Sequence, residues 1–341
     1  MPKADLVLEG GGVKGVGLVG AADQLMRSGY SIERVAGTSA GSIVGAFLAA
    51  GLNADQLTEV MDCLQYERVP DRGPPGLPVV SEGFSLLRNG GAYEGDYVRD
   101  FVFEKLKGFG VSTFGDLRRT GGGADPNLSD DRQYKLVVMA TDVTRGRLLR
   151  LPWDYPLLNL NPDEQIVADA VRASMSIPLF FEPVLIRDGK TGEATTLVDG
   201  GVLSNFPVEI FDRTDGKMPR WPTFGIQILP DLPVGSDQLL PPIAHPALRA
   251  LQLMPAGRVL EQVVATAIVG NDQTHLEQPC VGCRTIRVDT AGIGIVEFDA
   301  SAKKRQMVVA KGAKAAAQFL QTWDWDHYNK ECRGAGAIAP A

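Results

Sequence analysis

Gly37-Thr38-Ser39-Ala40-Gly41 sets a serine between two glycines with G-x-S-x-G spacing. This is the spacing of a nucleophile elbow, a sharp strand-to-helix turn that exposes a serine hydroxyl. A Cβ at either glycine would strike the neighbouring strand or helix. An apolar run, Arg34 to Ala36, precedes the turn, and a small-residue helical pattern, Ser42 to Ala50, follows it. The helix would aim its first N–H groups and the positive end of its dipole at whatever Ser39 attacks. The bland alternative is a tight turn that uses small residues only for packing.

A second glycine-rich turn, Glu9-Gly10-Gly11-Gly12-Val13-Lys14-Gly15, fits G-x-G-x-x-G. A dinucleotide fingerprint needs an acid about 20 residues on, at the end of the second strand. That strand ends instead in Gly37-Thr38-Ser39. A P-loop needs lysine after its last glycine, whereas Lys14 precedes Gly15. An oxyanion hole, in which backbone N–H groups of a glycine run face a developing negative charge, fits best beside a nucleophile. A close-packing turn is the remaining alternative.

Asp199-Gly200-Gly201 follows an apolar strand and puts a carboxylate in a tight loop, though Asp-Gly also marks ordinary turns. A serine needs a base to remove its proton. The three histidines, His245, His275 and His327, all lie downstream; His245 and His275 flank a helix and neither sits in a Gly-rich loop after a strand, and His327 lies close to the end. Asp199 is the favoured base, because burial would raise a carboxylate from its ordinary value near 4 towards usefulness.

The elements that must hold these residues are legible in part. Leu6 to Leu8 and Arg34 to Ala36 read as strands, each followed by a turn and a helix. This βαβα alternation argues a parallel sheet. Asn53 to Cys63 reads as a helix capped by Asn53 or Asp55, and Gly95 to Val102 as an amphipathic helix. Thr113 to Leu117 is a short docking turn. Tyr134 to Thr141 is a strand, with Leu148 to Leu151 pairing back. Pro162 to Ser174 reads as one helix capped by Asn161 and ended before Pro178. Val184 to Arg187 and Thr195 to Val198 form an antiparallel pair. Thr223 to Leu229 and Thr285 to Val288 are strands. Pro246 to His275 is a long helix, and a last helix runs from its cap Ser301 to Thr322. Residues 66–131 read as an insertion or lid over the site. Its apolar Leu77, Val79, Val80, Phe84, Leu86 and Leu87 either meet lipid or pack on the domain. The chain reads as one domain over 1–330 with a frayed tail over 331–341.

With 341 residues, the chain is long enough for a large core, as one big domain or two small ones. Its 44% apolar and 22% charged residues suit an ordinary globular protein. A net charge of -7 without a basic tract argues against nucleic acid as partner. No secretory signal precedes the first strand, and Ile43 to Leu52 is too short to span a bilayer. A cytoplasmic location is expected, with signal-independent secretion left open. Four cysteines, Cys63, Cys280, Cys283 and Cys332, do not make a disulfide framework. Cys280 and Cys283 read as reduced residues bracketing a turn, with metal or redox use as the weaker alternative.

Over roughly Leu6 to Phe211 the chain resembles the patatin-like phospholipases, with an echo of bacterial members at Gly292 to Ser301. Four motifs occur in order: Gly10-Gly11-Gly12-Val13-Lys14-Gly15, Gly37-Thr38-Ser39-Ala40-Gly41, Ala173-Ser174-Met175-Ser176-Ile177-Pro178 and Asp199-Gly200-Gly201. The resemblance implies a three-layer α/β/α fold with a mostly parallel central sheet. It implies a Ser39-Asp199 dyad and an oxyanion hole drawn from Gly10, Gly11, Gly12 and Ala40. Lys14, Gly15, Gly37, Gly41, Gly200 and Gly201 would support it. It further implies hydrolysis of fatty-acyl esters in phospholipids or related lipids at a membrane or micelle surface, without metal or cofactor. A non-catalytic lipid-binding or scaffold protein on the same fold is the alternative. A nucleotide-binding protein is a weaker one.

Overall fold

Ala4 to Leu8 is buried at every position, as a strand is when both faces of its sheet are covered. The computed structural model describes residues 1–71, 91–121, 128–215, 217–228, 259, 262–264, 266–267 and 278–333. In it this run lies in β1 (Lys3–Leu8). A 3₁₀ turn over Gly12–Gly15 leads into α1 (Val16–Arg27) and then β2 (Ser31–Thr38), which pairs with β1 in parallel. α2 (Ala40–Ala49) starts one residue beyond Ser39, earlier than the sequence pattern indicates. In α3 (Ala54–Asp62), Asn53 accepts the Gln56 N–H and the Gln56 side chain accepts the Asn53 N–H, so Asn53 and not Asp55 is the cap.

β3 (Gly91–Tyr93) and α4 (Asp96–Gly108) follow, and Val98, Val102, Leu106, Phe114 and Leu117 are buried. The described parts of the 66–131 stretch are thus built into the core. Residues 72–90, with the apolar stretch from Leu77 to Leu87, and residues 122–127 lie outside the described residues. So do most of the helix expected from Pro246 to His275, the flanking histidines His245 and His275, and the tail from Gly334.

β4 (Leu136–Asp142) is fully buried, and β5 (Arg147–Leu151) pairs back on it. The single helix expected from Pro162 to Ser174 is two pieces. Pro162–Glu164 is a 3₁₀ turn whose cap Asn161 accepts the Asp163 N–H, and α5 (Val167–Ser174) begins only later. The reason is tertiary. The Gln165 carbonyl accepts the Phe114 N–H, and Ile166 bridges Thr113, which holds both residues extended.

The rest comprises β6 (Leu179–Phe181), β7 (Val184–Arg187), β8 (Ala194–Asp199), β9 (Thr223–Gln227), α6 (Pro279–Gly282) and β10 (Thr285–Arg287). α7 (Ala302–Thr322) and α8 (Trp325–Cys332) close the described chain. The main sheet runs β10-β9-β1-β2-β4-β8-β7. Its first five strands are parallel, while β8, β7 and β5 run against their neighbours. With helices packed on it, this is a three-layer α/β/α arrangement around a mostly parallel sheet. α1 and α7 pack closely because a Cβ at Gly20 would lie 1.9 Å from the Val309 carbonyl oxygen.

The cysteine reading needs correction. Cys280 is bonded to Cys332, 52 residues away, and only Cys283 and Cys63 are free. Helix α8, which the sequence pattern did not reveal, brings the two Cα atoms to 5.6 Å, within bridging range. Among the described residues no helix is long and apolar enough to cross a membrane.

Candidate active site

Ser39 sits between the end of β2 and the start of α2 with φ 51° and ψ −122°. A non-glycine residue there is strained by about 1–3 kcal/mol and persists only where its surroundings dictate it. The flanking glycines supply that constraint. A Cβ on Gly37 would lie 2.3 Å from the Gly41 carbonyl oxygen, and one on Gly41 would lie 2.3 Å from that of Leu8. The Ser39 N–H, which no helix or strand partner reaches, donates to Ser174 Oγ at 2.9 Å.

Sheet register brings Asp199 to the same level. Thr38 of β2 lies opposite Met139 of β4, and Asp199 of β8 lies opposite the next residue, Ala140. Ser39 and Asp199 therefore flank β4 on one row, about 10 Å apart at the backbone, and their side chains close the gap. The Ser39 side chain faces the Asp199 carboxylate and lowers its pKa, and the Gly201 N–H donates to Asp199 Oδ1 at 2.8 Å. Asp199 is 1% exposed. Burial pushes its carboxyl up to about 7, against the lowering effect of those two groups. Gly200 lets the loop lie on β4, since a Cβ there would meet the Met139 carbonyl oxygen at 2.4 Å. The one described histidine, His327, is exposed on α8.

The glycine run folds against this pair. A Cβ on Gly15 would lie 2.6 Å from the Ala40 Cβ, and Gly12 turns with φ +55° beneath the Ile295 carbonyl. Among the described residues, the N–H groups of Gly11, Gly12 and Ala40 donate to no backbone carbonyl outside their own turn or helix, whereas Val13 donates to Ile295 at 2.8 Å. Gly10 differs from expectation. Its N–H donates to the Asn205 carbonyl at 3.4 Å and its own carbonyl accepts from Asn205 Nδ2 at 3.1 Å. Gly10 is tied to the loop after Asp199, and its amide is not free for an oxyanion. Behind the run, Lys14 is buried beside Glu9 and Asp289. Burial lowers its ammonium while the two carboxylates raise it. Glu9 Oε2 accepts the Ile228 N–H at 2.5 Å and so anchors the start of the turn to the end of β9.

Ser39 and Ala40 open onto an apolar cavity of about 40 Å³, lined by Ile43, Met61, Leu64, Met175, Phe181 and Phe298 among others. A space that small holds only a few water molecules, so an acyl chain would have to part these side chains.

The model of the patatin-like phospholipase family matches residues 6–212. The chain belongs to that family. The match takes in all four motifs, and the family is one of lipid acyl hydrolases. The patatin-like chain is 37% identical over 227 residues to YqhO of Bacillus subtilis, covering 66% of this chain and 71% of that one. It is 26% identical over 334 residues to the NTE family protein MT2641 of Mycobacterium tuberculosis, covering 93% of this chain and 46% of the relative. It thus spans less than half the length of that relative. The crystal structure of VipD from Legionella pneumophila shares the fold at a TM-score of 0.51 and 18% identity, covering 94% of this chain and 67% of that one.

Residues that sequence reasoning missed at this patatin-like site include Asn205, Glu9 and Ser174. Asn205 carries a faint signal, as a polar residue six positions beyond Asp199. Glu9 and Ser174 carry none beyond lying in or next to the motifs.

Proposed function

We propose that the chain is a serine acyl hydrolase acting on fatty-acyl esters of phospholipids or related lipids. Ser39 is the nucleophile and Asp199 the base. The ionised Asp199 takes the Ser39 proton as Oγ attacks the ester carbonyl. The resulting oxyanion is held by the N–H groups of Gly11, Gly12 and Ala40 at the positive end of α2. The alcohol leaves with the proton that Asp199 returns, and an acyl-Ser39 ester remains. Water, deprotonated by Asp199, then attacks that ester and releases the fatty acid. The observation that carries this reading is a serine on a strained elbow set against a buried carboxylate that burial pushes up to about 7. The apolar cavity beside Ser39 supports a fatty-acyl group, and the family supports a lipid met at a membrane or micelle surface.

The test is labelling with a fluorophosphonate, mapped by mass spectrometry, on wild type, Ser39→Ala and Asp199→Asn. Wild type should label at Ser39, Ser39→Ala not at all, and Asp199→Asn at least about 100-fold more slowly. Turnover of a phospholipid in mixed micelles should follow the same order. Turnover retained by Ser39→Ala at an unchanged melting temperature would refute the dyad.

A further inference from the structure

The segment from Ala173 to Pro178 touches both halves of the dyad without reaching a reacting atom. Ser174 Oγ accepts the Ser39 N–H at 2.9 Å. Two residues on, the Ser176 carbonyl accepts the Asp199 N–H at 2.9 Å. Both serines are fully buried. The Ser176 hydroxyl donates to the Arg172 carbonyl at 2.9 Å and accepts from Arg172 Nη1 at 2.6 Å. Arg172 is itself buried, and its Nη2 donates to the carbonyls of Glu94 and Glu182. Those carbonyls lie just past β3 and β6. One guanidinium therefore fastens the small two-stranded sheet to the loop that ends α5.

We propose that Ser174 and Ser176, braced by Arg172, are positioning residues that set the distance and angle between Ser39 and Asp199. This rests on the acyl-hydrolase reading. The argument is geometric. Ser39 and Asp199 come from strands separated by β4, so nothing in the local chain ties one to the other. The end of α5 and the loop that follows do so within three residues. A bond to the Ser39 N–H also steadies the φ 51° conformation, which a helix or sheet bond cannot do at a turn this sharp. Without Ser174 Oγ, a buried N–H loses its acceptor and the elbow is free to rotate. A displacement of about 1 Å at the reacting atoms costs on the order of 100-fold in rate.

The experiment measures hydrolysis of p-nitrophenyl butyrate by wild type, Ser174→Ala, Ser174→Thr and Arg172→Lys. Active sites are counted in each by complete fluorophosphonate labelling. Expressing kcat per labelled site removes any loss due to misfolded protein, which a merely structural role would produce. Ser174→Ala should lower kcat per site by about 10- to 100-fold and slow labelling by a similar factor, with KM within about twofold. Ser174→Thr, which keeps a hydroxyl oxygen, should recover most of the loss. Arg172→Lys cannot fork between Ser176 and two carbonyls, and should fall in the same direction. Wild-type kcat per site in Ser174→Ala overturns the proposal. If that variant does not fold, an unchanged kcat per site in Arg172→Lys overturns it instead. A wild type that neither labels nor hydrolyses sinks the hydrolase reading and this inference with it. A fully active wild type beside an equally active Ser174→Ala sinks this inference alone.

Discussion

Asp199 carries a cost to folding that follows from the burial its proposed use as a base requires. Its carboxyl is raised from 3.8 to about 7 because burial penalises the charge. In the unfolded chain it ionises near its ordinary value. Between about pH 4 and pH 7 the folded state thus holds a proton that the unfolded state has released, and stability falls as pH rises through that window. Asparagine carries no such charge, while its oxygen can still accept the Gly201 N–H. Asp199→Asn should therefore be more stable than wild type at pH 8 by on the order of a few kcal/mol, and the gap should close towards pH 4. Paired thermal melts at pH 8 and pH 4.5 measure it, and equal gaps at both would remove desolvation as the cause. Under the proposed mechanism catalysis has the opposite slope, since only ionised Asp199 would accept the serine proton. Esterase activity should rise with pH through about 7.

The elbow is where an element depends on a single missing atom. Gly41 lies against the carbonyls of Leu8 and Glu9, at 2.3 and 2.8 Å from where a Cβ would stand. Neither carbonyl can yield without moving the end of β1. Gly41→Ala should cost more than about 2 kcal/mol, as overpacking against backbone does, and should halt labelling of whatever folds. Alanine at Gly29, which has open space around it, is a control of another kind: its φ of +94° makes it strained but without a clash. Denaturant unfolding of both separates clash from strain, and a Gly41→Ala midpoint equal to wild type would contradict the packing described here. The same logic explains α5. A helix whose pattern starts at Pro162 begins at Val167 because tertiary partners claim the backbone at Gln165 and Ile166.

Across the whole molecule, the C-terminal helices are pinned to the sheet far from the site. Cys332 on α8 is bonded to Cys280 on α6, and Asp212 accepts from Arg284 at 2.7 Å and from Arg333 at 2.6 Å. These ion pairs hold Asp212 below the usual carboxylate range against its burial. Closing a loop of this length by a disulfide is worth about 4 kcal/mol in the chain-entropy account. Cys280→Ser, or a reductant, should lower the melting temperature by several degrees. Cys63→Ser and Cys283→Ser should leave it unchanged. An equal melting temperature with and without reductant would show that the ion pairs alone suffice.

Local chemistry made much of this protein readable from its sequence. G-x-S-x-G and the glycine run depend on atoms a few residues apart, so Ser39, the glycine-lined turn and the βαβα start follow from spacing alone. Asn53 and Ser301 are caps for the same reason, because a cap acts over three residues. The proposal of Asp199 rather than a histidine as base likewise starts from the sequence, as an argument from which loop could hold one. Tertiary structure decided everything that joins distant segments. The row shared by Thr38, Met139, Ala140 and Asp199 is a matter of strand register, and register between strands a hundred residues apart has no local signature. The Gly10 amide donates to the carbonyl of Asn205, 195 residues away. The break before α5 and the Cys280–Cys332 bond likewise come from partners that only packing brings near. A sequence can specify a turn by steric exclusion within the turn, but which partner meets it depends on how the whole sheet closes.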